Sequence, residues 1–259
     1  MKDILKEIYA YRQMIFSLVK RDLRSRYKGS VLGFLWTFLN PLLQLIVYTL
    51  VFSVIMRAGI DRYYIFLFVA LVPWIFFSSS VNGGCMSIIG SSDLIKKIYF
   101  PREVLPIAYV TTCFVNMLLS FVVVLGVLFV TGYGFNIVAL CYLPFIMIVE
   151  YLLALGMALL FSALTVYLRD LGYAMGIITM AWQFLTPVMY SSDLVPERYL
   201  SLWRLNPVTP VIEAYRAILY YKEIPQMGTL VPAVMIGVVV LILGEIVFRK
   251  LQKGFAEEI

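Results

Sequence analysis

Two carboxylates, Glu150 and Glu245, stand inside long apolar stretches, where an ionisable side chain is costly and therefore chemically informative. Glu245 has Arg249 one helical turn on, so the spacing predicts a local ion pair. Glu150 has no such neighbour. Three roles are open to it: a proton or cation site, a neutral packing residue, or a hydrogen-bond acceptor aimed at another helix. One acid with no second acid, lysine or histidine nearby makes a thin proton relay. The chain holds no histidine, which excludes His-based triads, His-ligated metals and imidazole relays. Cys85, Cys113 and Cys141 lie far apart, in or beside apolar stretches, and suit small buried hydrophobes better than a disulfide framework or a zinc site. No phosphate-binding loop of the form G-x-x-x-x-G-K-[S/T] occurs, so if the protein works by ATP, a partner must hydrolyse it.

The elements that carry these residues are apolar and long. Residues 31–56, 64–81, 105–130, 137–167, 171–189 and 230–248 each approach the roughly 20 residues that a spanning helix needs. With 62% hydrophobic residues, 14% charged residues and a mean hydropathy of +0.92, the composition agrees. The chain reads as an all-α integral membrane protein with six spans, in one domain. Basic residues near span ends stay on the cytoplasmic side, and placing both termini inside leaves only Arg57, Arg62, Arg198, Arg204, Arg216 and Lys222 outside. The net charge of +6 then lies beside anionic lipid and needs no nucleic acid to explain it.

Residues 1–30 lack the form of a cleaved signal. Ile4, Ile8, Tyr11, Ile15 and Leu18 recur at helical spacing, with Lys6, Gln13, Ser17, Lys20 and Arg24 mainly elsewhere on the wheel. Such a helix lies in the headgroup plane, or else packs on protein.

Three polar segments separate the spans. In residues 91–104, Ser91 or Asp93 is placed to cap a helix whose Leu94, Ile95 and Ile98 share a face, and Pro101 ends it. A helix of this kind can dock in a groove on a partner, or rest as an ordinary interfacial loop. Residues 167–172 form a tight turn in which Arg169 and Asp170 mark the span boundary. Residues 186–228 carry five prolines among apolar residues and suggest two short helices, 195–205 and 211–221, broken at Asn206-Pro207 and Pro210. Their apolar content favours a pair re-entering the outer leaflet over a simple cap.

Taken in order, "RDLRSRYKGSVLGFLWTFLNPLL", "LIKKIYFPREVLPI", "YLRDLGY" with "QFLTPVMY", and "LNPVTPVIEAYR" resemble the membrane subunit of a type-2 ABC exporter. The nearest branch is polysaccharide export, which includes the O-antigen, capsule and wall teichoic acid permeases. The resemblance implies a homodimer of permeases above two nucleotide-binding subunits that carry ATP and Mg, moving a lipid-linked glycan across the bacterial cytoplasmic (inner) membrane. It implies that Asp93, Leu94, Ile95, Lys96, Lys97, Ile98 and Arg102 belong to an ATPase-coupling helix, with Arg169 and Asp170 on the neighbouring loop. Residues 1–30 would be its interfacial helix. Within residues 190–228, Asn206, Pro207, Thr209 and Pro210 would belong to paired outer gate helices.

A glycan path also gives the 15% aromatic content a use, since rings stack on sugars while uncharged polar groups bind a moving polymer weakly. Trp36, Tyr48, Trp74, Trp182, Gln183 and Tyr190 are the candidates to line it, each with membrane anchoring or helix packing as the plainer role. Two other readings fit the same residues. One is a type-2 ABC exporter of drugs or small lipids; the other is an ion-coupled secondary carrier that uses Glu150.

Overall fold

The computed structural model describes the 259-residue chain except residues 1–5, 7, 28–31, 58, 200–202, 204 and 259. Among the described residues all regular structure is helical. A helix α1 (Arg12–Tyr27) precedes α2 (Trp36–Thr49) and α3 (Tyr63–Cys85), which a short α4 (Ser92–Lys97) links to α5 (Val104–Val130). One turn, α6 (Ile137–Leu140), leads into α7 (Leu143–Tyr167) and then α8 (Asp170–Leu185). The chain closes with α9 (Thr209–Arg216), α10 (Met227–Leu251) and the single turn α11 (Phe255–Glu258).

Among the described residues five segments are long and apolar enough to cross a bilayer: Gly33–Ile55, Tyr63–Cys85, Val104–Val130, Ile137–Tyr167 and Leu230–Gly254. The one expected span not among them, residues 171–189, is shorter as a helix than its apolar run. Its helix α8 stops at Leu185 after 16 residues, about 24 Å, against a hydrocarbon thickness of about 30 Å. Thr186 is extended and Pro187 follows, and the residue before a proline is driven out of the helical region.

Helix α3 is apolar on every side, which is the pattern of a helix enclosed by others. It is the centre of the bundle, with α2, α5, α7, α8 and α9 packed around it. Helix α2, also apolar, sits at the edge and leaves Leu43, Ile46 and Val47 exposed. Helices α7 and α10 make the closest crossing, because two glycines meet there. A Cβ on Gly244 would stand 2.2 Å from the Gly156 carbonyl oxygen, and one on Gly156 would stand 2.6 Å from the Leu241 Cα.

Two cores result. The larger surrounds α3. The smaller joins Leu18 and Val19 of α1, Ile88, Phe100, Val104 and Leu105, Leu159 and Val166 of α7, Phe248 of α10 and Phe255 of α11. It marks one end of the bundle, the basic end, where Lys96, Lys97, Arg102, Arg169, Arg249 and Lys250 also gather. The amphipathic pattern of α1 holds in the structure: Ile8, Tyr11 and Ile15 are half-buried, Leu18 is buried, and Lys6, Gln13, Ser17, Lys20 and Arg24 are exposed. The buried face packs on α5, whereas Phe16 is 68% exposed beside Arg12 and Lys20. Ile4 and Lys28 lie outside the described residues.

Candidate functional site: a docking face and an opposite-end latch

At the basic end, Asp93 opens α4 and Lys96 and Lys97 close it, each charge opposing the helix dipole at its own end. Three details differ from the sequence reading. Ser91 occupies the N-cap but makes no side-chain capping bond. The helix stops at Lys97, where Ile98 turns extended, so Pro101 is not what ends it. Leu94 and Ile95 face inward on the smaller core, while Ile98 has left the helix and is 54% exposed. The apolar face is therefore used by the protein itself. What α4 presents outward is Asp93, Lys96 and Lys97, followed by Ile98 and by Tyr99, 94% exposed. Tyr99 is not among the candidates read from the sequence, although an aromatic directly before Phe100-Pro101 in a polar loop is the signal that would single it out. Lys96, Lys97, Tyr99 and Arg102 border an open groove of about 250 Å³.

Behind that face lies a charged cluster. Arg102 Nη1 donates to the Gln252 carbonyl, and Gln252 Nε2 donates to Glu103 Oε1 at 3.1 Å. Arg249 Nε lies 3.7 Å from Glu103 Oε1 and 2.6 Å from Glu245 Oε1, so the predicted Glu245–Arg249 pair forms and Glu103 joins it. Burial pushes the Glu103 carboxyl above the usual carboxylate range. Its own backbone N–H, Gln252 and Arg249 only partly offset that, and Glu245 adds to it. Arg169 Nη2 donates to the Glu258 carbonyl at 3.2 Å, and Arg169 shares a pocket of about 190 Å³ with Ser92 at the start of α4. Asp170 sits in the first turn of α8. The α7–α8 turn and α4 thus border one surface.

At the other end, Asn206 holds the segment after α8 in place. Its Oδ1 accepts from Trp182 Nε1 at 2.9 Å and from the Val208 N–H at 3.1 Å, while Nδ2 donates to Thr186 Oγ1 at 2.9 Å and to the Leu185 carbonyl at 3.2 Å. An Asn before Pro207 is suited to this, since its side chain replaces backbone partners in a turn. Pro210 does not break the second short helix as expected. Helix α9 begins at Thr209, and Pro210 sits within its first turn, where a missing N–H costs nothing. A π-helical turn, Ala217–Tyr221, continues it to the end foreseen for residues 211–221. Of residues 195–205, the described part contains a single 3-10 turn, Glu197–Tyr199, with Trp203 and Leu205 helical. Thr209 is buried.

Two residues of α9 anchor it inside the bundle. Tyr215 donates to Glu150 Oε2 of α7 at 2.7 Å, both side chains being fully buried. Arg216 donates from Nη1 to the Tyr190 carbonyl at 3.0 Å and from Nη2 to the Val188 carbonyl at 2.7 Å, its guanidinium lying 3.7 Å above the Phe66 ring. Neither partnership is local in sequence.

The six aromatic and polar candidates do not share one wall. Trp36 is exposed and borders a cavity of about 230 Å³ between α2, α3 and α5, with Asn40, Ser79 and Ser120. Trp74 is buried in the core against Phe77, which makes it a packing residue in this chain. Trp182 is half-buried and meets Phe77 edge-on at 5.3 Å, beside half-buried Gln183. Tyr190 accepts from Trp203 Nε1 at 3.0 Å and donates to the Phe184 carbonyl at 3.0 Å, and Tyr48 packs half-buried on the larger core.

Five segments long and apolar enough to cross a bilayer, packed around a central helix, are the build of a multi-pass membrane protein. The chain belongs to the ABC-2 type transporter family, which matches residues 13–220. It is 37% identical over 261 residues to the O-antigen export system permease protein RfbA of Myxococcus xanthus, covering 99% of each chain. A protein of the same name from Klebsiella pneumoniae is 32% identical, with 94% of each chain covered. The polysialic acid transport protein KpsM of Escherichia coli is 23% identical over 92% of this chain and 93% of its own. Family and apolar helices together make this a multi-pass protein of the inner membrane.

Proposed function

We propose that the chain is the membrane-spanning subunit of an ATP-driven exporter that carries a lipid-linked cell-surface polysaccharide, such as an O-antigen, across the inner membrane. The observation that carries this is the end-to-end likeness to permeases named for O-antigen export, spanning 99% of both chains in one case. Two copies would pair over two ATP-hydrolysing subunits, which hold the ATP and Mg. The basic end would face the cytoplasm, with Lys96, Lys97, Ile98 and Tyr99 meeting the ATPase and Arg169 and Asp170 beside them. Helix α8 with residues 186–190 would complete a sixth span, both termini would lie inside, and α9 would be the second member of a re-entrant outer gate. Trp36, Trp182, Gln183 and Tyr190 remain the candidates for the glycan path. The uncharged polar groups around the cavity of about 230 Å³ suit a neutral, hydroxyl-rich polymer.

Deleting the gene should abolish surface polysaccharide and accumulate its lipid-linked precursor inside the cell, and the chain supplied on a plasmid should restore both. A deletion strain with unchanged surface polysaccharide and a new sensitivity to small hydrophobic compounds would point to drug or lipid export instead.

A further inference from the structure

The residues after α10 lie behind the docking face, and their contacts reach both loops at the basic end. Resting on the exporter reading above, we infer that residues 252–258 form a strap that makes the docking face move as one body with α10, and that Phe255 is its pin, a positioning residue for coupling.

The argument begins with the end of α10. The last carbonyls of any helix have no partner within it. Here the Leu251 carbonyl, the last of α10, and the Gln252 carbonyl after it, which already accepts from the Phe255 N–H, each take a bond from a side chain of another loop. Tyr167, at the end of α7, donates its hydroxyl to the Leu251 carbonyl at 2.8 Å, and Arg102, after α4, donates to the Gln252 carbonyl. An arginine at this position also meets the negative end of the helix dipole. On one side the Gln252 side chain extends the joint to Glu103, and on the other Arg169 reaches the Glu258 carbonyl at 3.2 Å.

Phe255 fills the middle with no exposed surface. Its ring stands edge-on to Phe248 of α10 at 5.5 Å and lies 6.3 Å from Tyr167, with the Arg102 guanidinium 5.8 Å above it. The same core takes in Leu94 and Ile95 of α4. Gly254 permits the approach, because a Cβ there would stand 2.5 Å from the Tyr167 hydroxyl. If these loops moved without α10, the Leu251 carbonyl would lose its side-chain donor, the Gln252 carbonyl its second donor, and Phe255 its pocket. A push on α4 is therefore delivered to α10 and to the α7–α8 turn together. Packed side chains and hydrogen bonds of this kind carry coupling between distant sites.

The test compares ATP hydrolysis by the purified permease–ATPase complex in nanodiscs with surface polysaccharide on cells producing the same variant, read by periodate–silver staining. Phe255→Ala should keep the ATPase bound and hydrolysing while surface polysaccharide falls about three- to tenfold relative to hydrolysis. Phe255→Leu, which refills the pocket, should restore most of the ratio. Tyr167→Phe removes one hydroxyl without changing shape and covers the case in which Phe255→Ala does not assemble; it should lower the ratio by about twofold. A ratio equal to wild type in Phe255→Ala, or in Tyr167→Phe where the alanine variant fails to assemble, overturns the strap. So does a ratio that Phe255→Leu leaves as low as Phe255→Ala. Wild-type complex that hydrolyses ATP in cells with no surface polysaccharide to lose would defeat the exporter reading itself, a separate outcome.

Discussion

Tyr215 donates its hydroxyl to Glu150 Oε2 across 2.7 Å, tying α9 to the middle of α7 at a point closed to solvent. The ring of Phe121 stacks on Tyr215 at 5.5 Å and fixes its direction. Of the three roles open to Glu150 in the sequence, the geometry favours an acceptor between helices.

Glu150→Gln should therefore keep ATP-driven export, because an amide oxygen takes the same bond from Tyr215. Export measured across a range of pH is the check. Complete loss of transport in an assembled complex, together with loss of its pH dependence, would put an ion-coupled carrier ahead.

Ile98→Asp combined with Tyr99→Ala should release the ATPase from the purified complex while leaving the permease inserted, since both side chains are exposed on the docking face. Leu94→Asp should behave differently. It places a charge against the smaller core and should lower the melting temperature of the permease itself. ATPase retained by the double variant at wild-type stoichiometry would remove Ile98 and Tyr99 from the contact.

Asn206→Ala deletes the partner of Trp182 Nε1 and of the Val208 N–H. Each half-buried donor left unsatisfied costs about 1–3 kcal/mol. Thermal unfolding of the detergent-solubilised protein should show a clear fall in Tm, and an unchanged Tm would mean that water replaces the asparagine.

A single cysteine at Thr209, with Cys85, Cys113 and Cys141 replaced, should react slowly with a membrane-impermeant maleimide, because Thr209 is buried. Addition of ATP to the complex should speed the reaction if α9 belongs to an outer gate. Equal, fast labelling in both conditions would make the segment a solvent-exposed cap.

Glu103 sets a pH dependence of stability at the basic end. Burial raises its carboxyl pKa above the unfolded value, so folding is favoured by its proton. This contribution is complete below the ordinary carboxylate range and is lost as pH rises through the raised value. Glu103→Gln should flatten that part of a stability-against-pH curve, and an unaltered slope would assign it elsewhere.

The membrane class, the central spans and the Glu245–Arg249 pair were legible because they depend on hydropathy and on spacing within one helix. Helix α1 was legible for the same reason, down to which residues face water. The partners of Glu150 and Arg216 were not, since Tyr215 is 65 residues from Glu150 and the carbonyls that hold Arg216 carry no sequence signal. What covers the α4 apolar face was not legible, because periodicity identifies a face but not its partner. Here the protein's own smaller core covers Leu94 and Ile95. Pro210 was read as a breaker because a proline that starts a helix and one that stops it look alike until the neighbouring cap is seen.

The glycine crossing of α7 and α10 divides the bundle mechanically. Helices separated by a layer of side chains can shear as rotamers change, but Gly156 and Gly244 bring backbone against backbone and leave no such layer. Helices α7 and α10 are therefore held as one unit. A displacement passed to α10 is thus passed to α7 as well. A methyl group added at either glycine should wedge the two helices apart and loosen the unit they form.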